Sequence, residues 1–240
     1  MPLRLATPAD EPILGSLCAA AFFNESLFGA TIHPYRNQYP DDVALFWRNW
    51  ARTDLRDPRK KVIVSTTTID DQEKILGVAT WQRQGDDEGA QKVMSEWKDP
   101  GPDAFEEIDL SANRAKDPAK EGILAAAFPY FKHFWDGEKH GLPRSQNWYL
   151  HHCAVSPKYQ NQGIGKQLVA WGLKLAKEEN VHASVLASEG NEGFYLKCGF
   201  DEIVGNSVEA GGEANPLMKE GVKGGDCLFM WAKEKTGEGA

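Results

Sequence analysis

The sequence predicts an α/β fold on three observations. Runs of β-branched and aromatic residues alternate along the chain with segments whose apolar residues recur at helical spacing. Hydrophobic residues make up 41% and aromatics 10% of 240 residues, enough to close a core of ordinary size. No stretch reaches the roughly 18 consecutive apolar residues of a membrane helix, so that surface must be buried inside the protein. The length corresponds to about 1.6 average domains, which fits one enlarged domain or two small ones.

Leu3 to Ala6 alternates like a short strand, and Thr7-Pro8-Ala9-Asp10 follows as a turn whose Asp can cap a helix. In that helix Ile13, Leu14, Leu17 and Ala21 share a face. A second helix from about Asp41 carries Val43, Phe46, Trp47 and Trp50, and the loop between the two, Phe22 to Pro40, is rich in aromatic residues. These rings read as core or as the lining of a binding pocket. Val62 to Val64 and Ile75 to Trp81 are strand-like runs joined by the polar Asp70-Asp71-Gln72-Glu73, a hairpin.

The strand pattern stops between Gln84 and Gln146. Helices are expected at Phe105 to Ala112 and at Ala119 to Trp135, the second kinked or ended by Pro129. A structureless loop of about 60 residues is improbable within a compact domain, so residues 85–146 read as a helical insertion or lid in one domain, 1–240. Gly85 to Gly122 holds eleven acidic and five basic residues, most of the net charge of -8. That acidity reads as solvated surface, or as a field that draws a cationic ligand.

Strand and helix alternate again from Trp148. Trp148 to Val155 suits a buried strand, Ile164 to Glu179 a helix with Ile164, Leu168, Trp171 and Leu175 as its stripe and Gly172 as a mild weakness. A strand at Ala183 to Ala187, a short helix at Glu192 to Cys198 and strands at Glu202 to Val208 and Cys227 to Trp231 complete the order. The Gly-rich Ala210 to Gly225 is expected as an exposed, moving connector.

The excess of acidic residues, 35 against 27 basic, argues against nucleic acid as a partner. Cys18, Cys153, Cys198 and Cys227 form no CxxC pair and no disulfide framework, and the N-terminus shows no signal core, so a cytoplasmic location away from membranes is expected. His33, His133, His140 and His182 show no HxxxH or HExxH spacing, and no metal is expected.

Gln160-Asn161-Gln162-Gly163-Ile164-Gly165-Lys166 lies between the buried strand and the amphipathic helix. Its glycines let backbone approach a ligand, and the first amides of the helix are unpaired donors at the positive end of the helix dipole, a pyrophosphate site in the making. It is neither a Walker loop, since Gln167 follows Lys166, nor a dinucleotide fingerprint, since Leu168 stands where the third Gly is needed.

Gln160-x-x-Gly163-x-Gly165, with Ala154-Val155-Ser156-Pro157 upstream and Asn191-Glu192-Gly193-Phe194-Tyr195 to Phe200 downstream, resembles the GNAT superfamily of acyl-CoA-dependent N-acetyltransferases. The pattern looks most like puromycin-acetyltransferase-type members and fungal relatives of unassigned substrate. The resemblance implies a mixed, mostly antiparallel central sheet flanked by helices and splayed at one strand pair, where acetyl-CoA wedges in. It implies that Gln162, Gly163, Ile164, Gly165 and Lys166 hold the pyrophosphate, that Gln160 shapes the turn, and that backbone of Cys153 and Val155 pairs with the pantetheine arm, near Asn191.

It further implies that Tyr195 protonates the departing thiolate, a task suited to a phenol with a reference pKa near 10. His151 is the first choice for the base, with Glu189 or water as alternatives, because Tyr149 stands where other members carry a Glu. Strand alternation puts Tyr149, His151 and Cys153 on one face and His152 on the other unless a bulge intervenes. The expected acceptor is the amine of a small molecule; a peptide amine, or a non-catalytic acyl-CoA sensor, are the alternatives. A homodimer is compatible with the sequence.

Overall fold

The computed structural model describes residues 1–234. Its strands are β1 (Leu3–Leu5), β2 (Lys60–Ile69), β3 (Gln72–Arg83), β4 (Glu138–Lys139), β5 (Leu142–Pro143), β6 (Asn147–Val155), β7 (His182–Ser188), β8 (Glu202–Asn206) and β9 (Gly224–Met230). The helices are α1 (Glu11–Ala21), α2 (Val43–Leu55), α3 (Glu88–Ser95), α4 (Ile123–Phe131), α5 (Ile164–Glu179), α6 (Glu192–Cys198) and α7 (Pro216–Lys219). Seven strands form one sheet in the order β1-β2-β3-β6-β7-β9-β8, while β4 and β5 pair separately. Every neighbour in the large sheet is antiparallel except β6 and β7, whose parallel pairing requires the crossover that α5 provides. The sequence-level expectation of a mixed, mostly antiparallel sheet flanked by helices agrees with this.

The β2–β3 hairpin turns on Asp70 and Asp71, with φ of 51° and 58°, the left-handed pair that matches the twist of a two-residue hairpin. On one face of the sheet Val62, Val64, Val78 and Ala154 pack under α1 and α2; on the other, Ile63, Ala79, Trp81 and Leu150 pack under α5. Gly172, which costs helix propensity, is explained by that second layer. A Cβ there would come within 2.1 Å of the Trp81 ring, which lies flat on the helix and donates through Nε1 to the Leu168 carbonyl at 3.2 Å. The buried row of α5 accordingly runs Ile164, Leu168, Val169, Gly172, Leu173 and Ala176, with Trp171 at its margin.

Several local expectations are corrected. Asp10 does not cap α1 as its N-cap acceptor; its carboxylate reaches back to the Thr7 amide at 2.7 Å and accepts from Arg4. Phe105 to Ala112 is not helical: the Asp109 carboxylate accepts from the Ser111 amide at 2.9 Å, a local turn that competes with a helix. Helix α3, unanticipated, is capped by Asp87 through the Gly89 and Ala90 amides. Pro129 sits inside α4, which passes into a 3-10 turn after Phe131. The connector after β8 is anchored, because Asn215 is buried with its amide donating to the Ser207 and Ala210 carbonyls and its oxygen accepting from the Leu217 amide.

Some acids of residues 85–146 are engaged in ion pairs. Asp99 pairs with Arg56, Glu106 with Arg48, Asp87 with Arg83 and Asp86 with Arg59. Two of these pairs, to Arg48 and to Arg56 at the C-cap, strap the segment along α2. At its far end Trp135 donates to Ser184 Oγ on β7 at 3.0 Å, and Ser184 donates to Asn147 Oδ1 on β6 at 2.7 Å. This chain pins together the two strands that part further along.

Candidate active site

Pairing between β6 and β7 covers only Asn147–Leu150 and His182–Val185, although both strands run on to Val155 and Ser188. Beyond Leu150 the sheet is split, leaving backbone of β6 without a strand partner on that side. The split opens into a cleft of ≈ 590 Å³ whose other wall is the start of α5. Gly163 forms the N-cap with φ of 80°, a conformation glycine adopts without strain, and no atom lies within 4 Å of where a Cβ would sit. The first amides of α5 therefore face open space at the positive end of the helix. Gln160 donates from Nε2 to the Val155 carbonyl at 3.3 Å and so ties the loop back onto β6.

Cys153, Val155, Gln160, Gly163, Ile164, Gly165, Lys166, Asn191 and Tyr195 all line this cleft. Gln162 does not; its side chain is exposed. Tyr195 is 8% exposed on α6, and burial, with Cys153, Cys198 and Tyr149 nearby, raises its phenol above the usual value, so it stays protonated. Burial pushes the Cys153 thiol up to about 12, which leaves it no thiolate character at neutral pH. Glu189 lines the cleft, as does Glu25, whose burial raises its carboxyl above the ordinary range while Oε2 accepts from the Phe28 amide at 2.7 Å.

His151 is not on the cleft wall. In the β3–β6 register Thr80 faces His152 and Trp81 faces Leu150, so His151 is an extra residue, a β-bulge. The bulge resets the alternation. Trp148, Leu150, Cys153 and Val155 face α5, whereas Ala154 joins the layer under α1 and α2. Both histidines turn to that layer too, which corrects the alternation reading: His152 is not opposite His151, and Cys153 is not beside it. Trp50 lies 5.2 Å and Tyr149 5.8 Å from the His151 ring, and Trp135 5.9 Å from Tyr149.

Beneath them Asp54, on the last turn of α2, accepts from Lys60 Nζ at 2.7 Å and lies 3.7 Å from His152 Nδ1. Burial would raise this carboxyl, but the positive charge beside it outweighs burial and holds it below the usual range, with the Lys60 ammonium donating to it. Burial in turn lowers both histidines, His151 to about 3 despite Asp54, so both are neutral at working pH.

The sequence profile of the Acetyltransferase (GNAT) family matches residues 24–200. The chain belongs to the GNAT family of acetyltransferases. It is 26% identical over 201 residues to a protein described as an acetyltransferase from Stachybotrys chartarum, covering 84% of this chain and 80% of that one. A structure from Corynebacterium glutamicum, described as a histone acetyltransferase and related acetyltransferase, matches 98% of both chains at 17% identity with a TM-score of 0.58. A GNAT acetyltransferase from Brucella melitensis, solved with acetyl-CoA, matches 84% of this chain and 82% of that one at 15% identity with a TM-score of 0.39.

GNAT members are acetyl-CoA-dependent acyltransferases, and this chain is one. The cleft fits that donor: its helix start offers amides to phosphate, and the unpaired β6 edge offers backbone to an extended amide-bearing arm. Sequence reasoning missed Glu25, Asp54 and the bulge. Only the pairing register reveals the bulge, although Tyr149-Leu150-His151-His152-Cys153 is where a break in alternation was allowed for. Among the described residues no helix is long and apolar enough to cross a membrane.

Proposed function

We propose that the protein is a single catalytic domain, with residues 85–146 as an insertion, that acetylates the amine of a small molecule in one direct transfer. The observation that carries this is the bulge, which turns His151 into a half-buried aromatic wall made of Trp50 and Tyr149, roofed by Trp135 of the insertion. Such a wall suits a compact amine with an apolar or ring-bearing body better than a peptide laid in an open groove.

In this reading the amides of Gly163, Ile164, Gly165 and Lys166 hold the diphosphate, Gln160 keeps the loop in place, and backbone of Cys153 and Val155 aligns the pantetheine arm near Asn191. Gln162 contributes its amide rather than its side chain. The thioester supplies an activated acyl carbon. His151, neutral through burial, takes the proton of the attacking amine directly or through one water as the N–C bond forms. Tyr195 gives its phenolic proton to the sulfur as the C–S bond breaks, and regains one from solvent.

A panel of small amines and Lys-bearing peptides, read by thiol release from acetyl-CoA, tests this reading. Turnover of ring-bearing amines is expected. Turnover of peptides alone would replace the substrate class, and donor binding without turnover of any amine would favour a sensor. His151→Ala should lower kcat by about 10²-fold with donor affinity intact; full activity would move the base to Glu189, Glu25 or water.

A further inference from the structure

Three buried polar atoms beneath the acceptor face have no hydrogen-bond partner: Asp54 Oδ2, His151 Nδ1 and His152 Nδ1. The carboxylate and the two rings offer atoms that lie within 4.8 Å of one another. They come from α2 and from the bulge of β6. Asp54 and His152 side chains are 2% and 7% exposed, and that of Lys60, which occupies Oδ1, is 8% exposed. Among the described residues His151 Nε2 makes no hydrogen bond to the protein, and it is not among the buried atoms that lack a partner.

We propose that Asp54 is a positioning residue for acetyl transfer: its carboxylate, held by Lys60, fixes His151 and His152 with the proton on Nδ1 and leaves the Nε2 lone pair of His151 free to accept the amine proton. The proposal rests on the reading of His151 as the base. Asp54 Oδ2 lies 3.7 Å from His152 Nδ1, and a ring atom of each histidine lies within 4.8 Å of the carboxylate. With the protons on Nε2 all three partnerless atoms would carry lone pairs in a buried site where nothing donates to them. With the protons on Nδ1 the site gains two donors beside one unpaired carboxylate oxygen, and His152 Nε2 becomes an acceptor for the Thr80 hydroxyl, 3.4 Å away. The 3.7 Å separation of Asp54 and His152 is wide for a direct bond. A void of ≈ 10 Å³ beside Asp54, His152 and Thr80 has room for about one water to bridge it.

Lys60 decides between this arrangement and a metal site. Its ammonium already balances the single carboxylate, and a divalent cation added to the trio would leave two uncompensated positive charges against Trp47 and Trp50. Two neutral imidazoles beside a balanced ion pair form a neutral site. When His151 takes the amine proton at Nε2, the imidazolium so formed faces Asp54 through Nδ1–H, and the carboxylate stabilises it without itself being protonated. The proton then leaves from Nε2 to solvent.

The tautomer can be read without an acceptor, by long-range proton–nitrogen correlation spectra of the ¹⁵N-labelled full chain at neutral pH, with His151 assigned from its loss in His151→Gln. The wild type is expected to show His151 protonated at Nδ1. In Asp54→Asn the population should move to Nε2–H, and kcat, measured with the best acceptor from the amine panel, should fall by about 10²-fold with acetyl-CoA affinity unchanged. The Asp54→Asn/Lys60→Gln double variant removes both charges together and should show the same tautomer shift if the single variant folds poorly. A His151 that stays protonated at Nδ1 in both variants, with kcat within about twofold of wild type, overturns the proposal, as does zinc at one equivalent in the purified wild type. A crippled His151→Ala beside fully active Asp54 variants removes Asp54 alone. A fully active His151→Ala removes the base reading, and the positioning role with it.

Discussion

The cleft at the start of α5 and the histidine cluster under α2 are neighbours along β6 but are built from different materials. The cleft is made of backbone: a glycine N-cap, unpaired helix amides and a strand edge without a partner. The cluster is made of side chains, with a carboxylate, an ammonium and two imidazoles brought from three elements and sealed by tryptophans. A backbone site depends on conformation and access, so most side-chain changes around it are tolerated. A side-chain site depends on single atoms, so an isosteric change can disable it.

The largest expected effect tests the first half of that contrast. Gly163→Glu places a bulky anion on a left-handed residue at the mouth of the helix, and should abolish acetyl-CoA binding by calorimetry; unchanged affinity would remove this cleft as the donor site. Next is Tyr195→Phe, one oxygen lost in the cleft, which should lower kcat by about 10²–10⁴-fold if protonation of sulfur limits the rate, at nearly constant donor affinity.

Smaller effects separate structure from chemistry. Glu11 is buried and receives both Arg48 and Arg52 at 2.9 Å, so Glu11→Ala leaves two guanidinium groups short of a partner and should cost about 3–5 kcal/mol in denaturant unfolding. Asp86→Asn, at a carboxylate that is 89% exposed, should change stability by no more than about 1 kcal/mol and leave kcat/KM as it is.

The histidine cluster also sets the acid side of the stability curve. His151 binds its proton at about 6.5 when unfolded but only at about 3 when folded. Between those values the unfolded chain holds the extra proton, so stability falls as pH drops through this window. His151→Phe should flatten the slope of the unfolding midpoint against pH; an unchanged slope would mean that the ring is solvated.

Legibility in the sequence follows the same division. The Gln160-to-Lys166 loop, α5 and α6 could be read directly because their signals are local: glycine spacing, an apolar stripe and a helix bounded within ten residues. Strands β2 and β3 were likewise visible as apolar runs joined by a polar turn. The Asp54 cluster was not, since Asp54, Lys60 and His151 meet only when α2 packs on the sheet, and the bulge that turns both histidines the same way depends on the register with β3. Residues 105–122 misled for a related reason. Asp109 and Asp117 satisfy neighbouring amides in turns where helical composition had suggested longer helices.

The hydrogen-bond chain from Trp135 through Ser184 to Asn147 closes one end of the β6–β7 seam with residues that do not line the cleft. The opening beyond Leu150 is therefore preorganised: its ordering cost is met during folding and not at each encounter with the donor. Ser184→Ala, which cuts the chain at its centre, should reveal this as weaker acetyl-CoA binding with a larger entropic penalty in calorimetry, although Ser184 lies on the closed stretch of the seam.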